Sequence, residues 1–77
     1  MTNKPKYMKI KITANQNRFD ADSLTLEECG VKLDEVFYAD VFSAGNANIR
    51  AKRDNEDKSI LAGDNLSVER GEYEVIE

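Results

Sequence analysis

Histidine and tryptophan are absent from this chain, and cysteine and proline occur once each. Each absence excludes something. Without histidine the common zinc ligand sets cannot be assembled, and the one side chain that ordinarily titrates near neutral pH is missing. With Cys29 alone, no intramolecular disulfide can staple the fold. A core of the size that 77 residues allow leaves only about 3–5 kcal/mol of net stability, so close packing or self-association has to supply what staples do not. No apolar run approaches the ~18 residues of a membrane span, and the lysine-bearing start is not followed by the apolar segment of a signal peptide. The expected setting is the cytoplasm, with the thiol reduced and no membrane partner.

What is present is charge, unevenly placed. Residues 1–18 hold Lys4, Lys6, Lys9, Lys11 and Arg18 with no acid, whereas residues 19–77 hold six basic and fifteen acidic residues; the whole chain stands at −4. Such a split suits either a nucleic-acid arm or two complementary surfaces that meet when the first strand docks, and for so small an excess the second is preferred.

Hydropathy alternates with the period of a strand over much of the chain. Residues 1–6, MTNKPK, read as a flexible leader to a single domain over residues 7–77. In YMKIKIT, Met8, Ile10 and Ile12 alternate with Tyr7, Lys9 and Lys11, which predicts a strand with one buried face. TLEECG places Thr25 and Glu28 at capping-box spacing and ends on Gly30, predicting one short helical turn anchored by Leu24 and Leu26. VFYADVF, residues 36–42, predicts a central strand with Phe37, Ala39 and Val41 inward, since the other parity would bury Asp40. After the turn signal SAGNAN, Ile49 and Ala51 alternate with Arg50 and Lys52, completing a hairpin. SILA reads as a short apolar strand, LSVE turns Leu66 and Val68 inward, and RGEYEVIE sets Tyr73 and Val75 on one face. The expected core is Ile10, Ile12, Phe37, Val41, Ile49, Val68 and Tyr73. The fold class is mainly β: a small barrel of about five short antiparallel strands with one helical turn.

GVKLDEVFYADVF, a Gly-Asn turn, IRAKRDNEDKSIL and the closing RGEYEVIE together resemble the SH3-like small-barrel proteins of bacteriophages and bacterial mobile elements, over roughly residues 30–77. The resemblance implies the SH3-like fold and a phage-like origin. It implies no activity.

Catalytic signatures are missing. A general base near neutral pH would need a carboxylate or lysine shifted by burial. Cys29 stands beside Glu27 and Glu28, which raise rather than lower a thiol pKa, so it reads as a small apolar filler. Neither Asp54, Glu56 and Asp57 nor Asp20 and Asp22 is followed by the glycine and distant glutamate of an EF-hand loop, and the four glycines stand singly, far from any phosphate-cradling pattern. No catalytic, metal or cofactor site is expected, and the chain is not expected to be an enzyme.

The candidate binding surface comprises Tyr7, Lys9 and Lys11 on the first strand with Arg50, Lys52 and Arg53 on the hairpin. Two readings follow. Lysines on an exposed strand guard it against pairing with another chain, and the protein is then a non-catalytic accessory factor that binds a partner protein, inhibition of a host factor being one form of that role. Alternatively, these cations track a phosphate backbone while an aromatic stacks a base. An acidic domain lacks the electrostatic footprint of a nucleic-acid binder, which favours the protein partner.

Overall fold

The computed structural model describes residues 4–76. Five strands form one open antiparallel sheet: β1 (Lys6–Ile12), β2 (Val36–Val41), β3 (Ala47–Arg50), β4 (Asn65–Val68) and β5 (Tyr73–Val75), in the order β4-β3-β2-β1-β5. The first and last strands are therefore neighbours, with β4 and β5 at the two edges. β1 takes in Lys6, the last residue of the expected leader, while residues 1–3 of that leader lie outside the described residues.

Register fixes which side chains share a face. Ile10 lies opposite Phe37 on one flank of β1 and opposite Val75 on the other, and Ile49 lies opposite Leu66. The inward set is Ile10, Ile12, Phe37, Ala39, Ala47, Ile49, Leu66 and Val68, joined by Leu26, Cys29, Val31 and Ala51 from the connections. The strand parities expected from alternation hold. Val41 and Tyr73 pack against this core half-buried, while Val75 is exposed on the outer edge strand.

Two expected elements are absent among the described residues. Thr25 to Glu28 does form a capping box: the Thr25 N–H donates to Glu28 Oε1 (2.9 Å) and the Glu28 N–H to Thr25 Oγ1 (3.1 Å). The other end closes at once, as the Gly30 N–H donates to Glu27 O and the Val31 N–H to Leu26 O, with Gly30 at φ +89°. The two caps overlap and leave no helix interior between them, so the segment is a turn and the described residues contain no helix. Leu26 is buried there, and Leu24 is exposed.

SILA is not a strand either. Its donors go to side chains: the Ile60 N–H to Asn55 Oδ1, Leu61 N–H to Asp64 Oδ2 and Ala62 N–H to Asp54 Oδ1, all at 2.9 Å. Local side-chain acceptors outcompete a ladder here. Residues 52–62 thus form a folded loop between β3 and β4, pinned to the rest by buried Asn55, whose Nδ2 donates to Glu28 O (3.0 Å).

The β2–β3 turn shows why one glycine is required. Gly45 has φ +103°, and a Cβ there would lie 2.9 Å from Arg70 Cδ. Its carbonyl accepts from Tyr73 Oη (2.6 Å), tying this turn to β5.

Candidate binding face

The alternation that buries Ile10 and Phe37 turns Tyr7, Lys9 and Lys11 of β1 and Tyr38 and Asp40 of β2 to the outer face of the sheet. Tyr7 lies opposite Asp40 and Lys9 opposite Tyr38, which makes the two tyrosines diagonal neighbours. Their rings stack at 5.7 Å between centroids and 12° between planes, an offset geometry that aromatic pairs favour. Even so, Tyr7 is 72% and Tyr38 60% exposed. Lys9 Nζ stands 6.0 Å from the Tyr38 ring centroid, at the outer reach of a cation–π contact.

Charges of both signs frame this platform. Asp40 is on the same face, and Lys11 pairs with Glu74 of β5 at 3.2 Å. That pair is exposed and contributes little to stability, but it neutralises Lys11 locally.

The other expected residues are elsewhere. Arg50 is on β3, separated from β1 by β2, and its Nη1 donates to Gly63 O (3.2 Å). Lys52 donates to Val36 O and rests 4.5 Å from the Phe37 ring centroid, with Glu35 at 4.0 Å. Arg53 grips the same Glu35 with both arms, Nη1 to Oε1 at 3.1 Å and Nη2 to Oε2 at 2.6 Å. The bidentate guanidinium holds the Glu35 carboxyl below the usual range, and Glu35 in turn raises Arg53. Lys52 and Arg53 are structural: they fasten the β3–β4 loop to the start of β2. The sequence-derived surface therefore divides, with Tyr7, Lys9 and Lys11 together and Arg50, Lys52 and Arg53 apart from them.

Tyr38 is the member that sequence reasoning missed. Its parity with Asp40 marks it as outward, yet only the β1–β2 register reveals that it meets Tyr7.

Cys29 is buried, its thiol pushed up by burial and by the Glu28 charge, which keeps it in the unreactive protonated form. Among the described residues no three acidic or cysteine side chains converge to hold a metal ion. No helix of these residues is long and apolar enough to cross a membrane. No protein family model, curated protein or solved structure matches the chain.

Proposed function

We propose that this chain is an SH3-like small barrel that acts without catalysis, as an accessory protein of the phage or mobile-element kind, by binding another protein through its tyrosine face. The strand order supports the fold: a meander β1 to β4, with β5 returning beside β1 and a long β1–β2 connection, is the arrangement of such barrels. One observation carries the function. Two stacked tyrosines are held in solvent with charges of both signs around them, and tyrosine is the kind of residue that dominates protein interfaces, offering large apolar area with few rotors to freeze. Asp40 and the Lys11–Glu74 pair suit a polar rim facing a protein of mixed charge.

A nucleic-acid ligand asks for cations of one sign along one track. Here Lys11 already serves Glu74, and Lys52 and Arg53 already serve Glu35. Titration with single-stranded and duplex nucleic acid across a range of salt separates the readings. Weak binding throughout is expected. A sub-micromolar complex whose log affinity falls with log salt at about −0.9 per duplex phosphate contact would replace the protein partner with a nucleic acid.

A further inference from the structure

A buried carboxyl away from the tyrosine face is only half accounted for by the fold. Glu72 lies in the connection between β4 and β5 with 2% of its surface exposed. Its backbone is fully employed: the carbonyl accepts from the Thr13 and Ala14 N–H groups (2.8 and 3.2 Å), and the N–H donates to Glu69 O (3.0 Å). Its carboxyl is half employed. Oε1 accepts from the Glu69 N–H (2.9 Å), while Oε2 is, among the described residues, the one buried side-chain oxygen without a hydrogen-bond partner. A lone buried carboxylate oxygen is costly, and native structures rarely keep one without a reason. The fold does not supply that reason, because a glutamine Oε1 would accept from the Glu69 N–H equally well.

Glu72 lines a cavity of about 280 Å³ between the β1–β2 connection and the β4–β5 turn. Asp20 and Glu69 add two further carboxylates to its wall, and Phe19 and Leu24, both exposed, add apolar surface. The nearby base is committed elsewhere, since Arg18 donates to Ser23 O and pairs with Glu28 at 2.8 Å. Burial pushes the Glu72 carboxyl up, and the Glu69 charge adds to that against the one backbone bond. The acids do not converge closely enough for a metal ion. Spread carboxylates with apolar sides suit a cation on a carbon stem instead.

We propose that this cavity binds an alkylammonium group, the end of a lysine side chain or of a free amine, with Glu72 as the acceptor at its floor and Asp20 and Glu69 at its rim. The stem packs on Phe19 and Leu24, and the ammonium supplies the partner that Oε2 lacks. Oε2 is closed to water in the unliganded protein, so binding includes a shift of the Glu72 side chain toward the cavity. The proposal stands apart from the tyrosine face and survives if that face binds nothing.

Amide chemical shifts of the full chain, titrated at neutral pH and low salt with n-butylammonium chloride and separately with a blocked tripeptide carrying one lysine, test it. Saturable shifts are expected at residues 19–24 and 67–72, with affinity reduced about tenfold or more in Glu72→Gln. That variant keeps the Oε1 acceptor and the side-chain volume, and a melt at least as high as the parent's is expected to confirm its fold. Asp20→Asn, at an exposed position, is the second variant and should weaken binding several-fold. Saturation by the amine alone assigns a small-molecule source, and saturation by the peptide alone a protein side chain. Absence of saturation with both probes, or unchanged affinity in Glu72→Gln and Asp20→Asn, overturns the proposal.

Discussion

Phe37 shows how much can rest on one side chain in a molecule this small. Its ring is 4% exposed, lies opposite Ile10, and also carries the Lys52 ammonium on its face. Phe37→Ala should cost about 3–5 kcal/mol, comparable with the whole stability expected of a 77-residue domain. Thermal unfolding followed by circular dichroism should show no cooperative transition, and one retained within a few degrees of the parent would remove Phe37 from the core. Glu72 acts in the opposite sense. Its carboxyl is raised by burial and by the Glu69 charge, against the single Glu69 N–H that donates to its Oε1, and Asp20 is the other acid on its cavity. A raised folded-state pKa means stability that is present at acid pH and lost as pH rises through the folded value. Glu28, Glu35, Asp54 and Asp57 are lowered by their hydrogen bonds, so their contributions are present above the ordinary carboxylate range and lost as pH falls through their depressed values. Stability should therefore peak on the mildly acid side of neutrality. Glu72→Gln should raise the neutral-pH melting temperature and flatten the decline toward neutral pH; a parent-like pH profile in that variant would contradict the burial cost.

Among the elements, the strands with one buried face are the ones readable in the sequence. Alternation in β1, β2 and β4 is enforced by the core, so the parity of Ile10, Phe37 and Leu66 follows from hydropathy alone. Connections obey other rules. Capping-box and C-cap residues were both visible around Thr25 and Gly30, but that they overlap into a turn depends on counting the residues between the caps. SILA has the composition of a strand, and what overrides it is the acceptor on Asn55, Asp64 and Asp54, which composition does not weigh. Asn15 and Asn55 look like ordinary turn formers, yet both are buried: Asn15 Nδ2 donates to Val31 O (3.0 Å), and Asn55 bonds Glu28 O, Ser59 Oγ and the Ile60 N–H. Asn55→Ala leaves partly buried backbone groups of two loops, Glu28 O and the Ile60 N–H, without these bonds and should cost about 1–3 kcal/mol. Hydrogen exchange at Ile60 should accelerate far more than at Ile49 in β3. Equal protection at Ile60 before and after the change would show that the loop holds itself without Asn55. The binding face was half legible for the same reason: Tyr7, Lys9 and Lys11 share one strand, whereas Tyr38 joins them only through pairing between strands distant in sequence.

Taken as a whole, the molecule brings its basic beginning against its acidic remainder. Lys11 meets Glu74 and Arg18 meets Glu28, so part of the charge split is resolved internally as β1 inserts between β2 and β5. What stays unresolved at the surface is apolar: the Tyr7–Tyr38 pair stands on a sheet whose inner face is already filled. Exposing two tyrosines has no benefit for a free monomer, and the proposed docking partner would give them one. The most direct measurement is a paired capture from cell lysate, comparing the parent with Tyr7→Ala/Tyr38→Ala after both are shown to melt alike. Each truncation at an interface centre costs about 2 kcal/mol or more, roughly a 30-fold loss of affinity. A protein retained by the parent and absent from the double variant is the predicted result, and the same protein held equally by both would contradict the assignment of this face.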